Sequence, residues 1–369
     1  MSAKSAASWP ASLRAIAAFG LVASLLGVVA VIFSTASAFA TQEPRKDSSP
    51  TCATCHAGVV RSYKAAPMRH AMEPDGANAE LIAHPDLTAA IGGFTYHVVT
   101  RNGRSTYSVT NGSGTISAPI HWIFGQKTQT WILERDGHFY ESLVSYYPRD
   151  NVLDTTPDDA TLKPATLLEA LGRRVSADEV RTCFECHSSG LVPGEKLVPS
   201  ATIPGIACER CHEGAQQHMA DAALDNFRTL PKPLKRLDAQ QISQFCGRCH
   251  RSFENVIRDR LHGNGTVRFQ PYRLELSKCF IGNDPRISCL ACHNPHQAAD
   301  RVASHYDAKC LACHSVSGEH PTAQQAKTCP VSKSNCTTCH MPKVEIAGNH
   351  AQFTDHYIPI VRPGESYPQ

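Results

Sequence analysis

The chain has 369 residues with 16 cysteines and 19 histidines, and only 19 % of its residues are charged. At roughly 100–200 residues per domain the length allows two or three domains. So many cysteines exclude an ordinary cytosolic enzyme, and a formal charge of +3 excludes a strongly basic nucleic-acid binder. A hydrophobic content of 42 % is not the pattern of one large conventional core.

Residues 1–40 read as a signal peptide. Lys4 and Arg14 supply positive charge, Ala15 to Phe33 is a nineteen-residue apolar run, and Ala38-Phe39-Ala40 is an A-x-A cleavage site. The rival is an uncleaved anchor, because the run is just long enough to span a bilayer, which would give membrane association through residues 15–33. Either way residues 41–369 lie outside the cytoplasm, in the periplasm or at the cell surface.

Residues 41–90 form a first segment around Cys52-Ala-Thr-Cys55-His56. Residues 91–148 read as a small antiparallel β module. Phe94 to Val99, an Asn102-Gly103 turn and Ser105 to Thr110 make one hairpin, and Ile120 to Leu133 and His138 to Tyr147 make another around Arg135-Asp136-Gly137. Residues 149–180 are a polar linker with short helical pieces at Ala165 to Leu171 and Ala177 to Arg181. Residues 181–369 hold everything else that carries chemistry.

Fourteen cysteines fall into one repeated string, C-x-x-C-H. After Cys52, Cys55 and His56 come Cys183, Cys186 and His187; Cys208, Cys211 and His212; Cys246, Cys249 and His250. Cys289, Cys292 and His293, then Cys310, Cys313 and His314, and finally Cys336, Cys339 and His340 complete seven copies. This is the attachment signal of c-type haem: two thiols add to the porphyrin vinyls and the adjacent histidine becomes the proximal iron ligand. Zinc sites do not demand a histidine after every pair. A thioredoxin-like motif needs one pair, and disulfides would leave seven histidines unexplained. Seven covalently bound c-type haems follow, each adding about −1 in its ferric bis-His form. The mature chain without Lys4 and Arg14 carries 34 basic against 33 acidic side chains. The holoprotein is therefore net acidic, and a nucleic-acid partner is excluded.

First cysteines are 131 residues apart between motifs one and two, then 25, 38, 43, 21 and 26 apart. Six haems within residues 183–340 leave too little chain for a protein core around each. The expected fold class is mainly α with extensive irregular structure around a packed haem array, with the β module inserted between the first and second motifs. Twelve further histidines are available as distal ligands.

The C-terminal two-thirds resembles the cytochrome c-554/c-prime type of multihaem cytochrome. Cys208 to His218 (CERCHEGAQQH), Cys289 to His296 (CLACHNPH), and Cys336 to Pro342 (CTTCHMP) with the following His350-Ala-Gln-Phe-Thr-Asp-His356 are similar to that group's strings. Glu213-Gly214-Ala215 stands where the group has Gly-Pro-Gly, which puts the His218 loop geometry in doubt. The resemblance implies distal roles for His218, His296, His350 and His356. His70, fourteen residues after His56, stands where this family commonly places a distal ligand, with Met68 as the alternative. His305 and His320 flank the sixth motif and complete the set. His97, His121 and His138 read as strand histidines, and His84 and His262 as solvated. Cys279 and Cys329, an even remainder in an oxidising compartment, suggest one disulfide. Arg273 and Lys278 are candidates to pair with haem propionates or to lie on the surface.

The function expected is electron transfer to and from redox partner proteins. Two alternatives remain: a multihaem oxidoreductase acting on a small nitrogen oxide or similar substrate at one open haem, and a subunit of a haem filament or membrane redox complex. No catalytic residue is assigned, and there is no Ser-His-Asp set, phosphate loop or paired-carboxylate arrangement.

Overall fold

The computed structural model describes residues 48–362 apart from 158, 192–197, 199–200 and 315–328, together with Gly364. The chain divides into Met1–Pro44 and Arg45–Gln369, and the described residues all belong to the second unit. The expected signal or anchor segment and His320 lie outside them.

Strands β1 (Met72–Pro74), β2 (Asp86–Ile91), β3 (Phe94–Arg101), β4 (Arg104–Asn111) and β5 (Gly114–Phe124) are followed by β6 (Thr130–Arg135) and β7 (His138–Ser142). A hairpin of β8 (Val144–Tyr147) and β9 (Val152–Thr155) comes next, then β10 (Gly172–Val175). Antiparallel pairing gives an eight-stranded sheet in the order β10-β7-β6-β5-β4-β3-β2, with β1 on β5. The chain reverses at Asn102-Gly103 and at Asp136-Gly137, where both residues take positive φ, as two-residue hairpin turns require.

The sheet is larger than the module expected at 91–148, reaching back to Met72 and forward to Val175. Short polar strands such as β10 (Gly-Arg-Arg-Val) carry little periodic signal. A conventional core does exist. Alternation in β4, exposed and buried in turn, points Tyr107 and Val109 at Tyr96, Val98, Trp131 and Leu133, all 1 % exposed or less. The opposite face packs Phe124, Ile132 and Val175 on Val180 and Phe184 of the helix Ala177–His187. That helix starts with a reciprocal Ser176–Glu179 capping box and ends on the second motif, so the sheet seats one of the seven strings directly.

Beyond residue 188 the elements are short: helices Ala215–Ala222, Ala239–His250, Phe253–Arg258, Gln270–Glu275, Cys289–Cys292, Ala303–His314 and Cys336–His340, and a small hairpin of Lys343–Glu345 with Gln352–Thr354. The chain is thus helices plus one large antiparallel sheet. Two close approaches require glycine. At Gly205, a Cβ would lie 1.9 Å from the Arg69 carbonyl, which lets Ile206 N–H reach Met68 O at 3.0 Å. At Gly247, inside the fourth motif, a Cβ would lie 2.7 Å from Ser252 Cβ.

Candidate functional site

One helical turn puts the two cysteines of C-x-x-C-H, and the histidine after them, on one face. Motifs two, four and six end their helices, so His187, His250 and His314 are terminal residues. Motif one lies mid-helix in Ser49–Tyr63, whose regular geometry breaks at His56 (φ −110°, ψ 37°). Motif seven is held at its start by the buried Asp307 of the sixth-motif helix, which accepts from Asn335 N–H at 2.7 Å and Cys336 N–H at 2.8 Å.

All seven motif histidines and all motif cysteines except Cys55 line one continuous cavity of about 4900 Å³. Shared among seven motifs, 4900/7 gives 700 Å³ each, within the range of about 300–1,000 Å³ that single organic ligands occupy. The motifs touch in series. Cys52 hydrogen-bonds to Cys208, Arg210 donates to the Glu185 carbonyl, and Cys186 meets Cys249. Cys246 meets Cys289, the helices of motifs five and six abut, and Cys310 meets Cys336. In space the order is therefore one, three, then two and four side by side, then five, six and seven.

Four of the cavity histidines have one ring nitrogen fixed by a backbone carbonyl. Nδ1–H of His187 donates to Ala71 O at 2.7 Å, His218 to Thr229 O at 2.7 Å, His340 to Pro359 O at 3.0 Å and His356 to Thr354 O at 3.0 Å. A carbonyl only accepts, so Nδ1 holds the proton and Nε2 keeps its lone pair. Burial, with repulsion from His293 and His250, pushes the His356 imidazole down to about 4. Burial likewise lowers His187, His212, His250, His293 and His296, which keeps imidazole in its ligating form. Two ring pairs draw on different parts of the chain. His212 and His296 stand 5.8 Å apart with planes at 7°, and His293 and His356 stand 6.1 Å apart at 43°. Imidazoles on opposite sides of one metal, each bonded at about 2 Å, stand on the order of 6 Å apart.

The cavity wall also sorts charge. It carries sixteen Lys and Arg against five Asp and Glu, although the whole chain is nearly balanced at 36 to 33. A wall so cationic suits ligands that bring carboxylates, as haem does with its two propionates. Among the described residues no group of three or more His, Cys, Asp or Glu converges as a protein-only metal site.

The distal candidates divide. His218, His296, His305 and His356 line the cavity. His70 does not: Nδ1 meets Glu73 at 2.7 Å and Nε2 meets Lys64 O at 2.7 Å, while Met68 of the same turn faces the cavity. His350 is clamped between Asp150 (3.1 Å) and Asp154 (2.8 Å), which occupy both ring nitrogens. His97 pairs with Asp86, His121 with Glu134 and His138 with Arg174, all on the sheet. His262 is exposed, whereas His84 is half-buried beside Tyr146.

Cys279 and Cys329, for which one disulfide is expected, both line the cavity and, like the fourteen motif cysteines, are unbonded in this structure. The thiols that act on Cys279 are Cys292 and Cys313, and Cys329 is held by the N–H groups of Val331 and Ser332. Arg273, a candidate partner for a propionate, is engaged within the protein. It forms a buried two-pronged pair with Asp355, Nε to Oδ1 at 2.8 Å and Nη2 to Oδ2 at 2.5 Å, while Lys278 does line the cavity. The Arg273 partner sits inside the Phe353-Thr-Asp355-His356 string, one residue before a ligand candidate, but nothing in the sequence pairs it with a residue 82 positions away.

Repeated attachment strings opening onto one cationic cavity define a multihaem c-type cytochrome. Residues 158–213, which include the second and third motifs, match the family described as cytochrome c554 and c-prime, and the chain is similar to that group. A crystal structure of the outer cell wall cytochrome OcwA aligns over 86 % of this chain and 80 % of that one, at 14 % identity and a TM-score of 0.48. No curated protein matches the chain.

Proposed function

We propose that the chain is a heptahaem c-type cytochrome that carries electrons through closely packed haems outside the cytoplasm. The observation that supports this most is the single cavity shared by all seven motif histidines. Bound haems supply one-electron storage at potentials set by axial ligand, charge and burial. The chain supplies the rest. Cys52 and Cys55 through Cys336 and Cys339 tether the groups, and His56, His187, His212, His250, His293, His314 and His340 ligate from the proximal side. His218, His296, His305 and His356 ligate distally, and His296 serves the motif of His212 as His356 serves that of His293. Backbone carbonyls fix the tautomer of four of these rings, and apolar wall residues keep water from the array.

The first and seventh motifs, at the two ends of the contact series, carry the exposed cysteines Cys55 and Cys339. Redox partner proteins exchange electrons there. Export follows from the charged, apolar and A-x-A pattern of residues 1–40. Among the described residues no helix is long and apolar enough to cross a membrane.

The test is mass spectrometry and EPR on the purified holoprotein, with and without nitric oxide. Seven covalent haems are expected, and the four that His218, His296, His305 and His356 complete should be low-spin and unmoved by the ligand. Fewer attached groups would remove the heptahaem reading. High-spin ferric signals from more than three irons would remove these distal roles, and turnover of nitrite or hydroxylamine at an open haem would replace the carrier with the oxidoreductase.

A further inference from the structure

The Arg273–Asp355 pair neither tethers nor ligates, yet it is buried at both ends. Buried ion pairs add little stability over apolar residues of similar volume, and their best-attested use is to fix register. Here the fork leaves little freedom, because Arg273 Nε and Nη2 reach different oxygens of one carboxylate. Asp355 Oδ1 also accepts from Tyr357 N–H at 2.9 Å. A side chain that takes the N–H two residues on closes a tight turn around the residue between, and that residue is His356. The direction in which the imidazole leaves the turn is therefore set by Arg273, on the helix Gln270–Glu275 that packs against the helix of motif four. Further contacts hold the same stretch. Asp355 N–H donates to Pro342 O at 2.9 Å, just after motif seven. Ile358 N–H donates to Ser277 Oγ at 2.8 Å, and that hydroxyl donates to His356 O at 3.3 Å. Pro359 O accepts from His340 Nδ1 at 3.0 Å. Residues 355–359 thus present His356 at 6.1 Å from His293 of motif five and carry the carbonyl that orients the proximal histidine of motif seven.

We propose that Arg273 and Asp355 are positioning residues that aim His356 at the iron of motif five and hold the His340 imidazole of motif seven through Pro359, so that two haems share one buried support. The proposal rests on the function given above, which makes both histidines haem ligands. Outer-shell partners of this kind orient the ligating ring and tune the metal it holds.

The experiment compares ferric EPR signals and midpoint potentials of the wild-type holoprotein with those of Asp355→Asn and Arg273→Lys. Asparagine keeps the shape of the carboxylate and lysine keeps the charge, but neither completes the two-pronged pair. Should both fail to fold, Ser277→Ala removes the hydroxyl that holds Ile358 and leaves the pair intact. His356→Ala, run alongside, marks the iron of motif five as the one that turns from low-spin to high-spin and binds nitric oxide. In the positioning variants every haem stays attached by mass. The marked iron loses part of its low-spin signal, a second iron shifts in potential, and the others do not move. Wild-type signals and potentials in folded variants would overturn the proposal, because a merely structural pair leaves them unchanged. Equal shifts at every haem would overturn it too, as general loosening. A change confined to the marked iron would remove the link to motif seven. If His356→Ala itself alters no signal, the distal role given above falls and the positioning role falls with it, and a wild type without covalent haem removes both. A normal His356→Ala response beside silent Arg273 and Asp355 variants leaves the function standing and sinks the positioning alone.

Discussion

The sheet and the motif-bearing stretch after it are parts of one unit held by different forces. Between Leu81 and Phe184 the fully buried side chains are large: Trp131, Tyr96, Tyr107, Tyr146, Leu133, Phe184. Among the described residues after 208 the buried apolar ones are Ala215, Ala239, Ile242, Val256, Val267, Leu274 and Ala351, too few and too small to hold those residues against chain entropy. What these short helices surround is the cavity. The first region makes its own core, and the second shapes a wall for a core brought from outside.

The largest expected effect follows from that contrast. Made in cells unable to attach c-type haem, the chain keeps its sheet and loses the motif-bearing stretch. Limited proteolysis with mass mapping should leave residues 86–175 resistant while cleavage spreads through 208–340. Uniform resistance, or uniform loss, would abolish the distinction between the two regions.

Where the regions meet, the second motif belongs to both. Phe184, a spacer residue of Cys183-Phe-Glu-Cys186, is fully buried against Trp122 (5.2 Å) and Phe124 (5.8 Å). Phe184→Ala should cost about 3–5 kcal/mol by cavity formation, read by denaturant unfolding followed through tryptophan fluorescence. Leu290, a spacer of the fifth motif, is only half-buried and lines the cavity. Its truncation should cost about 1 kcal/mol in the haem-free chain. Equal losses at both positions would mean that the motif helices share the core of the sheet.

The same division explains what could be read in advance. Alternating apolar residues and Asn-Gly or Asp-Gly turns report β3, β4, β6 and β7 because those strands are half-buried and their reversals need positive φ. β1 and β10 are three and four residues long, too short for any period to show, so the sheet is larger than the expected module. In the second region C-x-x-C-H is legible because the attachment chemistry demands all three residue types at fixed spacing. Distal histidines carry no such spacing. The resemblance that placed His296 and His356 also placed His350, yet His350 has both nitrogens on carboxylates of the β8–β9 hairpin, some 200 residues earlier. Nothing local in a sequence distinguishes an imidazole awaiting a metal from one closing an ion pair.

That ion pair gives the smallest effect and the most specific link between the regions. His350, at positive φ, lies between Asp150 and Asp154 with its ring 4.4 Å from Tyr147, and Tyr147 Oη donates to Thr155 O at 2.6 Å and lies 3.1 Å from Gly348 O. The Asp154 hydrogen bond, with help from Asp150, raises the imidazole above its usual value of 6.5. A raised folded value means that the stabilisation is complete below pH 6.5 and fades as pH climbs through the raised value. The carboxylates are 39 % and 45 % exposed, so water screens the pair and the gain is modest. Hydrogen exchange of the 346–352 amides, corrected for intrinsic pH effects, should show more frequent opening in the wild type as pH passes from 6 to 9, and His350→Gln should open at one frequency throughout. If the variant keeps the wild-type slope, the Tyr147–Gly348 contact joins the regions and the ion pair merely accompanies it.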